Sequence, residues 1–188
     1  MELLIPGLIL VALMAYASTR IKRRAAQAWE EETIEHEGFT LVKPAGYLHI
    51  LNGDPQYAFE SYSKEFRTVG NRDVRLATAT VSILDGTADK IVDEIKAAAT
   101  KIKSETSEVI GEYHYTAIDA VEVRHGADDN VFYKIAERGG RVFKLESAVM
   151  ADAGDEQQQK AASIADSFVL KTISGSTASE ETKHEHAS

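Results

Sequence analysis

Any acid–base or metal chemistry in this chain would have to be built from six histidines, His36, His49, His114, His125, His184 and His186, because cysteine is absent. A zinc or related site needs three or four convergent His, Asp or Glu ligands. None of the six stands at a recognised ligand spacing. His125 with Asp128 and Asp129 comes nearest, and it falls in a strand connection where polar residues ordinarily serve a turn. His184-Glu185-His186 offers two imidazoles with no fixed third ligand, which makes a loose and unselective copper or nickel site. His114 lies between Tyr113 and Tyr115, but strand alternation turns it to the face opposite both. Asp85, Asp89 and Asp93 fall on a helix start and its solvated side. No nucleophile elbow, phosphate loop or dinucleotide glycine pattern occurs. The reading assigns no catalytic residue, no cofactor and no metal site, with His125, Asp128 and Asp129 as the weak metal candidates.

The strongest signal is a placement signal. An apolar run from Leu3 to Ala17 includes Leu3, Leu4, Ile5, Leu8, Ile9, Leu10, Val11 and Leu13, and a cationic cluster of Arg20, Lys22, Arg23 and Arg24 follows it. Taken through Ile21, it approaches the ~20 residues that cross a bilayer as a helix. A cleaved secretory signal would carry its cations before the apolar run; here all four come after it, which favours an uncleaved anchor. The lipid bilayer is thus the first expected partner. The positive-inside rule puts residues 20–188 on the cytoplasmic side, the exported side being the alternative.

Setting aside Glu2 and those four cations leaves 17 basic against 29 acidic residues, a formal −12. Such a domain is a poor partner for nucleic acid. An anionic leaflet would repel it, so the domain is expected to stand off the membrane surface. Without cysteine there is no disulfide, thiolate nucleophile or lipidated cysteine anchor.

These residues must be positioned by a small α+β domain. Lys22–Glu37 is rich in helix formers and ends at Gly38, which predicts a helical stalk in which Trp29 packs on the domain. Gly38–Pro44 reads as a short strand halted by the proline, Leu48–Pro55 as a loop with an Asn52-Gly53-Asp54-Pro55 turn, and Tyr57–Tyr62 as a second strand. From Val74 to Leu84 the chain alternates, with Ala77, Ala79, Val81 and Ile83 on one face and Thr78, Thr80 and Ser82 on the other. Thr87–Lys103 predicts a helix capped by Thr87, with Ala88, Ile91, Val92, Ile95, Ala98, Ala99 and Ile102 as its apolar stripe. Tyr113–Arg124 reads as a long strand, and Val131–Arg138 and Arg141–Met150 as a hairpin closed by Gly139-Gly140. A last helix is expected over Asp155–Leu170, with Asp155 and Gln158 spaced as a capping box. The tail from Ser174 lacks apolar periodicity and is expected to be disordered.

The order and lengths of these elements over residues 38–171 resemble the PsbP-like fold, to which the photosystem II extrinsic protein and many small bacterial domains belong. The resemblance is one of pattern and carries over no functional residue. It implies a non-catalytic binding or assembly role and an exported domain, the latter at odds with the orientation drawn from Arg20–Arg24. The expected organisation is α+β: an N-terminal transmembrane helix, then one domain with an antiparallel sheet covered by two helices, in the order β-β-β-α-β-β-β-α. The segments are an anchor over 1–24, a stalk over 25–37, the domain over 38–173 and the tail over 174–188. The expected function is protein binding or assembly at a membrane, through an as yet unidentified protein partner. The alternative is a small-molecule or metal-binding module.

Overall fold

A computed structural model of the chain describes residues 4–172, with the side chains of residues 4–12 and Arg24 outside the described set. The chain opens with α1 (Leu4–Gln27), followed by β1 (Glu32–Glu35), β2 (Phe39–Lys43), β3 (Tyr47–His49) and β4 (Tyr57–Ser63). A small hairpin of β5 (Phe66–Val69) and β6 (Arg72–Arg75) precedes β7 (Ala77–Asp85) and α2 (Ala88–Ala98). Four long strands follow: β8 (Lys101–Ile110), β9 (Tyr113–Arg124), β10 (Ala127–Arg138) and β11 (Arg141–Met150). Finally come α3 (Asp155–Ser167) and β12 (Val169–Leu170).

The main sheet has seven strands in the order β3-β4-β7-β11-β10-β9-β8, and every pairing in it is antiparallel. A three-stranded sheet, β1-β2-β12, stands beside it. The expected α+β class and antiparallel pairing hold, whereas the order of elements is richer than expected. The β10–β11 hairpin closes through Gly139 and Gly140, at φ 60° and 74°. Both are left-handed positions that the primed two-residue turn requires and glycine adopts without strain.

The two helices pack on opposite sides of the sheet. Phe143, Leu145 and Val149 of β11 and Ala77, Ala79 and Val81 of β7 join Ala161, Ile164 and Ala165 of α3 in one buried cluster. On the other side, Val142, Ala148, Val131, Tyr133, Ile135, Ile118 and Ala120 join Ile91, Val92 and Ile95 of α2. The strands alternate, so β9, β10 and β11 supply both clusters from successive residues. The α2 cluster lies over the β9–β10–β11 side and leaves the β4–β7 side of that face uncovered.

Four expectations are corrected. The stalk does not run helical to Gly38: α1 ends at Gln27, and Glu32–Glu35 pairs antiparallel with β2, so the domain begins near residue 28. Lys43 is the reason for that early stop. Its side chain is fully buried, and its ammonium donates to the carbonyls of Ala28, Glu30 and Tyr47, with the Glu32 carboxylate 4.0 Å away. Trp29 then packs edge-on against Tyr62, at 6.4 Å between centroids. Second, α2 stops at Ala98, because Ala99 turns extended and Lys101 already pairs with β9. Ile102 does contact the α2 cluster, but from a strand. Third, Thr87 holds the N-cap position without a side-chain capping bond; Glu137 accepts the Ala88 N–H instead, at 3.3 Å. Fourth, the N-cap of α3 is Gly154, and Gln158 reaches away from the expected capping box, donating to the Met150 carbonyl at 2.8 Å.

The described part of α1 is exposed, including Leu13, Met14, Tyr16 and Ile21 together with Arg20, Lys22 and Arg23. Among the described residues no helix is long and apolar enough to cross a membrane. From Leu13 onward the helix carries Ser18, Thr19 and the cations, and the apolar side chains of Leu4, Ile5, Leu8, Ile9, Leu10 and Val11 lie outside the described set. Leu3 and the tail from residue 173, with His184 and His186, lie outside it altogether.

Candidate functional site: a polar cleft on the uncovered half of the sheet

Where α2 does not reach, the residues at the same parity turn polar. Glu122 and Arg124 are i, i+2 neighbours at the end of β9 and share the face of Ile118 and Ala120. On β11, Lys144 and Glu146 alternate with the buried Phe143 and Leu145. Tyr133 of β10 is the direct cross-strand partner of Glu146. These groups form one network. Arg124 donates from Nη1 to Glu146 at 2.7 Å, from Nε and Nη2 to Glu122 at 3.0 and 2.7 Å, and from Nη2 to the Tyr133 hydroxyl at 3.0 Å. That hydroxyl donates in turn to the other oxygen of Glu122, and Lys144 donates to Glu146 at 3.2 Å.

The electrostatics follow from this geometry. Burial pushes the Glu146 carboxyl up, yet Arg124 and Lys144 together outweigh it, so Glu146 titrates below the usual carboxylate range. Burial opposes the charge of Arg124 as well, and hydrogen bonds and attraction from Glu146 and Glu122 restore it, leaving its pKa raised. Tyr133 is pushed up by burial first and then by Glu146 and the bond to Glu122. Arg124 and Glu146 thus each favour the charged form of the other.

Beside it lies a cleft of about 320 Å³ lined by Tyr57, Glu60 and Tyr62 of β4, Thr78 and Thr80 of β7, Arg75, Arg124 and Glu146. It adjoins a second hollow of about 360 Å³ that shares Arg75, Thr78 and Arg124. Arg75 lies 4.1 Å above the Tyr62 ring, on the same tyrosine that Trp29 touches. The cleft thus begins one side chain away from the exit of α1.

The sequence candidates fall elsewhere. His125 and Gly126, at φ 53° and 84°, form the two-residue turn between β9 and β10, and Asp128 and Asp129 begin β10. His125 and Asp128 are exposed; Asp129 is half-buried opposite Glu122. Burial raises the Asp129 carboxyl, against the pull of Arg124 and His125. Among the described residues no three His, Asp or Glu side chains converge to hold a metal ion. His114 is exposed on β9, while Tyr115 on the other face is buried and accepts the Leu170 N–H at 2.8 Å. The Arg124 network was the missed element. Its sign in the sequence was charge at a buried parity: Glu122 and Arg124 continue the series of Ile118 and Ala120.

The fold is α+β and similar to that of PsbP-like proteins of known structure. The cyanobacterial PsbP (CyanoP) of Synechocystis superposes with a TM-score of 0.51 at 10% identity, over 76% of this chain and 94% of that one. LpqN of Mycobacterium tuberculosis, described as involved in cell envelope biogenesis, gives a TM-score of 0.51 at 15% identity, over 76% of this chain and 91% of that one. No protein-family model matches the chain, and no curated protein is similar to it in sequence.

Proposed function

We propose that this chain is a non-catalytic binding domain, held at a membrane by its N-terminal helix and docking a protein partner on the uncovered half of its sheet. The observation that carries the docking reading is the residue set of the cleft. Tyr57, Tyr62, Arg75 and Arg124 are the residue types that dominate binding energy at protein interfaces. The Arg124 network holds its part of the cleft rigid before a partner arrives, which lowers the ordering cost of association.

The anchoring reading rests on the apolar run from Leu3 to Ala17, the cations from Arg20 to Arg24, and the exposed Leu13, Met14 and Ile21 of a helix joined to the domain through Lys43. The envelope role given for LpqN agrees with such a placement. By the positive-inside rule the domain faces the cytoplasm.

The test is photo-crosslinking in native membranes, with a photoreactive residue placed at Thr80 in the cleft or, as control, at Asp93 on the outer face of α2. A discrete adduct from Thr80 alone, lost in Tyr62→Ala, is expected, with the chain retained in carbonate-washed membranes. Equal labelling from both positions would sink the docking reading, and release by carbonate would sink the anchor. Protease cleavage of a C-terminal epitope in intact cells would reverse the sidedness.

A further inference from the structure

A second cleft, of about 450 Å³, opens at the mouth of the Gly139-Gly140 hairpin, against Ile83, Phe143 and the start of β2. Its ionic lining is lopsided for so acidic a chain: Arg138, Arg141 and His36 against one acid, Glu37. Arg138 and Arg141 are direct cross-strand partners. Like charges in that position, with Cβ atoms roughly 5 Å apart, destabilise a hairpin. On its other side Arg141 faces Asp85 of β7, so the row across the three strands reads Arg138–Arg141–Asp85, two cations to one acid.

Arg138 is also held in place. Its guanidinium lies 4.8 Å above the Phe143 ring, and its Nη1 donates to the carbonyls of Gly38 and Lys171 at 3.0 and 2.7 Å. A Cβ on residue 38 would stand 2.9 Å from Nη2 and 2.8 Å from Phe143, so only glycine admits the guanidinium in this pose. His36 accepts the Gly38 N–H on Nδ1 at 3.1 Å and stacks on Phe39 at 4.5 Å, which leaves Nε2 as its other hydrogen-bonding atom.

We propose that this cleft binds a small oxyanion, the phosphate or carboxylate group of a soluble ligand, bridged between Arg138 and Arg141. Guanidinium groups recognise both anions by paired N–H donors, and a bound anion would cancel the cross-strand repulsion. The source is soluble because the cleft lies at the Phe39 end of β2, while α1 leaves from the Lys43 end, roughly 13 Å away along the strand. The site is separate from the docking face on β4 and β7, and only the choice of a soluble source rests on the anchor reading.

His36 reports occupancy. Burial holds its pKa below the ordinary value; Lys171 and Arg138 push the same way and Glu37 opposes them. Glu35, paired with Lys171 at 3.1 Å, the exposed Arg141 and, opposite Arg141 on β7, Asp85 complete the charged surroundings. An anion between the arginines offsets their field, so binding draws a proton toward His36 and tightens as the pH falls.

The experiment titrates the full chain in detergent micelles with inorganic phosphate at constant ionic strength, following the His36 ring by NMR and the melting temperature. A saturable His36 shift with a rise in melting temperature is expected. Arg141→Ala should weaken phosphate binding roughly tenfold, as loss of one charge-assisted contact does, while changing the stability of the phosphate-free protein little, because the relief of Arg138 is offset by the lost pairing with Asp85. A His36 response equal to that of chloride, or equal in the wild type and Arg141→Ala, overturns the proposal. A response to anionic phosphatidylglycerol vesicles and none to phosphate overturns the soluble source.

Discussion

The two sides of the seven-stranded sheet solve the same problem differently. Under α3 the sheet is closed by aliphatic and aromatic groups, with Leu145, Val81 and Ala79 wholly buried. Across the same strands, one residue on, Thr80 and Glu146 sit beyond the α2 cluster that ends at Tyr133, and there an arginine held by two carboxylates takes the place of a packed core. Hydrophobic burial is non-directional, whereas ion pairs fix geometry at little net gain in stability. The α3 side is therefore packed throughout, and the other side is packed under α2 and polar beyond it.

The largest test of that division is Leu145→Ala beneath α3. It should cost about 3 kcal/mol, the usual result of deleting a fully buried leucine that leaves a cavity. Urea denaturation would read this as a lowered midpoint at constant m value. A cost below about 1 kcal/mol would mean that the α3 side is not the main core.

Next comes Arg124→Ala on the open side. Removing one partner of a buried ion cluster costs roughly 3–5 kcal/mol, but the Arg124, Glu146 and Glu122 side chains are 24, 21 and 12% exposed, so water recovers part of it. About 2 kcal/mol is expected. Adding Glu146→Gln should cost less in the Arg124→Ala background than alone, with a coupling of about 1 kcal/mol in a double-mutant cycle. Additive losses would show that the two residues do not act together.

The open side should also give the protein its sensitivity to acid. Glu146 titrates below its ordinary value of 4.5 in the folded chain, so the unfolded state binds its proton first as the pH falls. Its contribution is complete above 4.5 and is lost as the pH drops through the lower folded value, so stability rises with pH across that window. Asp129 acts with the opposite sign, because its folded pKa is raised: its contribution is present below the ordinary 3.8 and lost as the pH rises through the folded value. In an Asp129→Asn background, Glu146→Gln should therefore flatten the acid limb of stability against pH. An unchanged limb would assign acid sensitivity to other carboxylates.

How much of this was legible in the sequence depended on whether an element buries a face. The strands β9, β10 and β11 alternate between two covered sides and β7 between a covered and an open one, and the Gly139-Gly140 turn between β10 and β11 is a local signal. The strand β8 escaped because nearly every residue from Lys101 to Val109 is exposed. An edge strand owes its shape to backbone pairing with β9, which leaves no apolar period to read. Its Ile102 fell four residues after Ala98, which extended the helical pattern past its true end. The Arg124 network was hidden for the converse reason: charged residues suggest solvent, and only their parity with Ile118 and Ala120 marked them as inward-facing. The buried Lys43 gave no such sign, since the carbonyls of Ala28 and Glu30 that hold it come from the turn after α1.

The smallest expected effect is the most telling about the division of labour. Thr80 lies between Glu60 and Glu146 in the middle of the cleft, paired with both through the ladder. Its hydroxyl faces the uncovered side, so Thr80→Val keeps the β-branched shape and should change stability by no more than about 0.5 kcal/mol. An interface, in contrast, is sensitive to an apolar group facing a partner's polar atoms, which lose their hydrogen bonds to water on docking. If the open side is the docking surface, Thr80→Val should leave the melting curve unchanged and reduce crosslinking from a probe at the neighbouring Thr78. A stable variant with undiminished crosslinking would move the partner off the Thr80 part of this cleft.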